Sequence, residues 1–198
     1  MNFWDQNFSA PGYKYGTTPN AFLVDQAARL QAPSDALLPG DGEGRNGVWL
    51  AQQGHRVTAL DSSRVGLDKA HALAQEREVR IATVLADLAD WTPEPDSVDA
   101  LVLIYLHLPP SMRAAAHQRL MNALRPRGLL IVEAFHPEQL KHSSGGPKDA
   151  AMLYTLDTLR QDFAGLQELL AYEGLTTLNE GSGHQGLAHV TRWVAQRA

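Results

Sequence analysis

The chain has no cysteine, no block of lysine or arginine, and no apolar stretch long enough to cross a bilayer. Each absence removes a class of function. Without cysteine there is no disulfide, no thiolate zinc site and no cysteine nucleophile. A formal net charge of -5 and scattered basic residues leave no phosphate-neutralising surface, so nucleic acid is not an expected partner. The longest apolar run, Ala100–Leu106, falls far short of the roughly 20 residues a spanning helix needs. The opening Met1–Asp5 has neither a basic n-region nor an apolar h-region, so no signal peptide is visible and a cytoplasmic setting without membrane partners is expected. The eight histidines include no i, i+4 pair beside a glutamate, and no metal site is expected.

What is present reads as one domain. The 198 residues are 44% hydrophobic and 20% charged, close to ordinary globular usage and enough to bury a core. Residues 1–18 are aromatic and turn-rich (Phe3, Trp4, Phe8, Tyr13, Tyr15, with Pro11-Gly12 between them) and show no regular period. With a helix opening at Pro19 they form an N-terminal lid and helix over 1–33. A cofactor-binding core follows over 34–135, with strands expected at Asp35–Leu38, Arg56–Leu60, Arg80–Ala86, Val98–Tyr105 and Leu129–Ala134. Residues 136–155 read as a substrate loop, and 156–198 as a helix and two further strands. Strands alternating with helices predict an α/β fold, a parallel sheet with helices on both faces.

The glycine turn Gly40-Asp41-Gly42-Glu43-Gly44-Arg45-Asn46 is the most informative stretch. It sits between a short apolar run and a helical pattern, and a second strand ends at Asp61 about 20 residues on. Glycines let backbone N–H groups approach a ligand closely, a helix N-terminus offers partial positive charge, and the acid can hold ribose hydroxyls. Two registers coexist. Gly42-x-Gly44-x-x-Gly47 suits a dinucleotide, and Gly40-x-Gly42-x-Gly44 suits S-adenosylmethionine. Because the strand stops at Leu38, Gly40 falls at the sharp turn and Gly47 inside the helix, which favours the second.

Val57–Ser63, Leu85–Leu88, the Asp99–Leu106 strand and Leu124–Glu133 follow one another in an order that resembles the class I S-adenosylmethionine-dependent methyltransferases. The opening Trp4–Leu23 and the close Glu180–Ala195 resemble the small bacterial branch related to tellurite-resistance and thiopurine methyltransferases. The resemblance implies a Rossmann-like, seven-stranded, mostly parallel sheet whose last strand is antiparallel. It also implies S-adenosylmethionine as cofactor, held by Gly40, Asp41, Gly42, Gly44, Arg45 and Asn46 at the methionine part. Asp61 would bind the ribose, Ser62 and Ser63 would flank the adenine, and Asp87 and Leu88 would hold its amino group and ring face. Ile104 and Tyr105 would floor the sulfonium. Leu38-Pro39 stands where the family usually has an acid, and a carboxylate arrives instead at Asp41.

Methyl transfer is an in-line displacement at an activated carbon, so alignment and exclusion of water come before acid–base chemistry. Tyr13 and Tyr15 are expected to lie over the acceptor, with His107 and His136 as further substrate-pocket residues. His142 and His184, in polar stretches, read as solvated. The expected function is methyl transfer to a small molecule (a thiol, a metalloid oxyanion or a small hydroxyl compound) by a monomer or homodimer. A non-catalytic nucleoside-binding or sensing protein and an NAD(P)-dependent oxidoreductase are the competing readings.

Overall fold

The computed structural model describes residues 2–198. A seven-stranded sheet runs through the molecule in the order β3-β2-β1-β4-β5-β7-β6. Its strands are β1 (Asp35–Pro39), β2 (Arg56–Asp61), β3 (Ala82–Leu85), β4 (Val98–Ile104), β5 (Leu124–Phe135), β6 (Gln167–Glu180) and β7 (His184–Gln196). β1 to β5 pair in parallel, and β7 runs antiparallel to both of its neighbours. The helices are α1 (Phe3–Phe8), α2 (Ala21–Ala27), α3 (Arg45–Gln52), α4 (Arg64–Glu76), α5 (Pro110–Met121) and α6 (Leu156–Asp162).

The two-residue period of the strands builds two cores. Ala36, Leu38, Ala100, Val102 and Ile131 face one way, toward Leu23 of α2, Leu50 of α3 and Leu73 of α4. Leu37, Leu101, Leu103, Leu130 and Val132 face the other, toward Leu120 of α5 and Leu159 of α6. Each of these leucines is almost fully buried, and burying one stabilises the fold by roughly 1.5–3 kcal/mol. The near-continuous apolar run of β4 is thereby explained, because both of its faces are covered.

Three expectations are corrected. Phe3–Phe8 is a helix, with Asn2 and Asp5 forming a reciprocal capping box, where the sequence showed no regular period. β3 is shorter than Arg80–Ala86. β5 begins at Leu124 because Arg125–Gly128 enters the strand as an irregularity, with Arg127 at φ +66°. β6 runs as one strand from Gln167 to Glu180, its edge position leaving most of its residues exposed.

Sheet order reverses between β1 and β4, so the carboxyl ends of these strands open the crevice in which such sheets bind ligands. Among the described residues, no helix is long and apolar enough to cross a membrane.

Candidate functional site

The turn from β1 into α3 is built on three left-handed glycines, Gly40 at φ +71°, Gly42 at +55° and Gly44 at +87°. Gly47 lies inside α3 without a positive φ, and a Cβ there would meet Asp41 Oδ2 at 2.5 Å. The backbone therefore singles out the Gly40-x-Gly42-x-Gly44 register and makes Gly47 a packing residue. Asp61, at the end of β2, is 7% exposed and uses both oxygens locally. Oδ2 accepts from Gly42 N at 2.9 Å and Oδ1 from Ser63 N at 2.8 Å. Burial raises its pKa despite those bonds. The Asp41 carboxyl is pushed up to about 8, chiefly by burial, with Gly47 N–H opposing and Asp61 adding repulsion. A small cavity of about 10 Å³ lies against Leu38, Gly40, Asp41, Asn46 and Ile104.

The N-terminal segment lies across this turn. Phe8 packs on Gly42 and Gly66, where an added Cβ would meet its ring at 2.9 and 3.0 Å. Asp5 accepts from Ser63 Oγ at 2.7 Å, and Asn2 donates to the Ser62 carbonyl at 2.5 Å. Glu43 accepts from Lys14 N at 2.7 Å and pairs with Lys69 at 2.8 Å, while Lys69 also donates to the carbonyls of Ala10 and Gly12. Leu106 covers Gly40. Phe8 and Leu106 occupy the space over Gly42 and Gly40 that a nucleoside at the turn would need. The turn itself suits one at Gly40 and Gly42, where the missing Cβ lets Leu106 and Phe8 approach the backbone closely, whereas Gly44 lies against Ala70 of α4.

Beside the turn is a buried polar network. Arg45, 6% exposed, pairs with Glu180 at 2.8 Å. Asn20, which caps α2, bridges two carboxylates, donating to Glu180 Oε1 at 2.9 Å and Glu133 Oε2 at 2.7 Å. Arg192 completes the chain on Glu133 at 2.9 Å. His184, 5% exposed, shares Glu180 Oε2 at 3.4 Å and touches both Tyr105 and Tyr15, with ring centres 4.5 Å away in each case. Burial lowers the pKa of His184, with Glu180 pulling the other way. Burial likewise opposes ionisation of Glu180, but His184 and Arg45 bring it below its ordinary value. Tyr105 sits at φ +54°, a conformation that bulky side chains adopt only under constraint, and stacks on Phe135 at 4.6 Å.

The remaining sequence-selected residues divide. Tyr15 joins the network, whereas Tyr13 anchors the segment on α4 through the Lys69 carbonyl at 3.3 Å. Ile104 lines the small cavity, and the Asn46 side chain accepts from Asn20 N at 2.9 Å. Ser63 is fully buried as the N-cap of α4, and Ser62 meets Asn2. Asp87 is exposed and accepts from Ala89 N at 2.8 Å, while Leu88 is buried in the core. Both ring nitrogens of His107 are engaged by backbone, the Met152 carbonyl at 2.7 Å and Phe135 N at 3.1 Å. Its pKa falls to about 4 through burial, so it braces the strand ends as a neutral ring. His136 caps the 3-10 turn Pro137–Lys141 and stacks on His189 at 4.5 Å. Sequence reasoning missed Asn20, Glu133, Glu180 and Arg192, and it read His184 as solvated. The available signals were a glutamate inside the apolar run of β5 and the glycines around His184. No cluster of three or more potential ligands among the described residues could hold a metal ion.

A family profile described as a methyltransferase domain matches residues 37–128. A carboxy-S-adenosyl-L-methionine synthase of Aeromonas salmonicida is 36% identical over 116 residues, 58% of this chain and 43% of that protein. A trans-aconitate 2-methyltransferase of Methylobacterium radiotolerans is 36% identical over 121 residues, 59% and 44% of the two chains. The chain thus spans less than half the length of these curated relatives. Among solved structures, TehB from Haemophilus influenzae aligns with a TM-score of 0.74 at 17% identity, over 90% of this chain and 62% of that one. A Burkholderia thailandensis 1,6-didemethyltoxoflavin-N1-methyltransferase with bound 1,6-didemethyltoxoflavin and S-adenosylhomocysteine aligns with a TM-score of 0.64 at 21% identity, over 88% of this chain and 76% of that one. Sheet order, glycine register and sequence matches agree: the chain carries a match to a methyltransferase domain over residues 37–128, is similar to S-adenosylmethionine-using proteins and shares the fold of the class I methyltransferases.

Proposed function

We propose that the protein transfers a methyl group from S-adenosylmethionine to a small-molecule acceptor. The observation that carries this reading is the run of three left-handed glycines at the switch point of the sheet, followed by Asp61 at the end of the neighbouring strand. In this reading the backbone of Gly40 to Gly44 and of the helix start at Arg45-Asn46 holds the methionine part of the cofactor, and Asp61 exchanges a loop amide for the ribose. Ser62, Ser63, Asp87 and Leu88 border the adenine, and Ile104 and Tyr105 lie beneath the sulfonium. When bound, the cofactor supplies an electrophilic methyl group. The chain supplies alignment and dryness, since Phe8, Tyr15 and Leu106 can close over the turn and exclude water, and positioning of this kind contributes roughly 7–11 kcal/mol to such reactions. The acceptor pocket falls to Tyr15, Tyr105 and the 136–155 loop, whose Gly145 and Gly146 run against His184 and Phe135.

Calorimetric titration with S-adenosylhomocysteine, with NADH as the parallel ligand, tests the reading. Micromolar binding of the first and none of the second is expected. Silence with S-adenosylhomocysteine would overturn the assignment. Asp61→Ala should weaken that binding by about 1–3 kcal/mol, because it strips partners from groups buried at the site.

A further inference from the structure

Two donors in the polar network have no partner. Arg45 Nη1 and the Tyr105 hydroxyl are both buried and unbonded. A guanidinium N–H can only donate, and leaving a buried donor dry is unfavourable by about 1–3 kcal/mol. The two belong to one cluster. His184 touches the Tyr105 ring at 4.5 Å and shares Glu180 Oε2 with Arg45. Glu180 and Glu133 are already matched by Arg45 and Arg192, so no protein carboxylate is left over for the free N–H. Tyr105 is also the residue held at φ +54°, so unsatisfied bonding and backbone strain fall at the same point.

We propose that Arg45 Nη1 and the Tyr105 hydroxyl receive an anionic oxygen of the methyl acceptor, a carboxylate or related oxyanion, beneath Tyr15. This rests on the methyl-transfer reading and adds the substrate class to it. Access comes from the N-terminal segment. Tyr15 covers His184, and residues 14–16 rest on Gly181 and Gly183 at the tip of the β6–β7 hairpin, where an added Cβ on Gly181 would meet Gly16 N at 2.5 Å. Lifting that segment would uncover His184, which adjoins Tyr105 and shares Glu180 with Arg45.

The experiment is calorimetry on protein saturated with S-adenosylhomocysteine, titrated with benzoate, succinate and citrate, with phenol and benzyl mercaptan as neutral controls. At least one carboxylate should bind in preference to the controls. Tyr105→Phe should weaken that carboxylate about tenfold, and at least fivefold more than it weakens S-adenosylhomocysteine. Without ligand, the same variant should melt no lower than the parent, because the hydroxyl it loses has no partner in the protein. Arg45→Gln should show the same selectivity if it folds, and Tyr105→Phe decides if it does not. Failure of every carboxylate to bind the parent, equal weakening of S-adenosylhomocysteine, or a lowered melting temperature in Tyr105→Phe would each overturn the proposal. If S-adenosylhomocysteine itself does not bind the parent, the methyl-transfer reading fails. Carboxylate titration of the unliganded protein and of Tyr105→Phe then still decides the donor pair.

Discussion

Gly44 and Gly12 both adopt positive φ, +87° and +79°, yet their surroundings differ completely. A Cβ on Gly44 would lie 2.5 Å from Ala70 Cβ, whereas one on Gly12 would meet nothing within 4 Å. Gly12→Ala therefore carries only the left-handed penalty of about 1–2 kcal/mol, and Gly44→Ala adds overlap against α4 for a total of about 3 kcal/mol or more. Urea denaturation of the two variants measures the difference. Asp41 makes a second prediction at this scale. Burial places its folded pKa at about 8, above the 3.8 of an ordinary aspartate. Its favourable contribution is complete below the unfolded value and is lost as pH rises through the folded one. Asp41→Asn keeps an acceptor for Gly47 N–H without the titration. It should flatten the stability profile between about pH 4 and 8 and melt higher than the parent at pH 8. Identical profiles would mean that the Asp41 carboxyl stays ionised inside the fold.

The N-terminal segment, α4 and the β6–β7 hairpin form a clasp over the glycine turn. Gly183 permits it, since a Cβ there would run into the Tyr15 ring, and Gly183 N donates to the Lys14 carbonyl at 3.1 Å. Gly183→Ala should release residues 3–16, raising their amide exchange while the five parallel strands keep their protection. Unchanged exchange over that stretch would show that the hairpin tip does not hold the segment. Little of this clasp was legible beforehand. The aromatic residues between Phe3 and Tyr15 announced a covering segment, but α1 depends on a two-residue capping box and on docking against Ser62 and Ser63. Those contacts span about sixty residues of chain, so local periodicity carries no trace of them.

Across the whole molecule, the Arg192–Glu133–Asn20–Glu180–Arg45 chain ties β7, β5, α2, β6 and α3 together beneath the crevice. Burial raises the pKa of Glu133, and Arg192 is the main force opposing that rise. Arg192→Met removes the opposition and leaves a buried carboxylate, so it should destabilise by about 3–5 kcal/mol at pH 8. The loss should shrink as pH falls from 8 toward 5, because protonation of Glu133 removes the buried charge: a raised acid pKa favours the fold at low pH and ceases to as pH climbs. Adding Glu133→Gln should restore much of the stability at pH 8. Chemical denaturation at the two pH values checks the sign.

Short apolar runs separated by helical patterns determined the parallel sheet with helices on both faces and the position of the glycine turn, because those depend on period and on turn chemistry that neighbouring residues set by themselves. Gly40, Gly42, Gly44 and Asp61 were readable for the same reason: a strand end followed by glycine is a local arrangement. Only the tertiary structure decided what surrounds them. It took His107 into backbone hydrogen bonds, buried His184 on Glu180, paired Glu133 with Arg192 across β5 and β7, and left Arg45 Nη1 and the Tyr105 hydroxyl without partners. The physical reason is that a side chain's burial and bonding are set by residues far away in sequence, brought together only when β5, β6 and β7 pair beside the crevice.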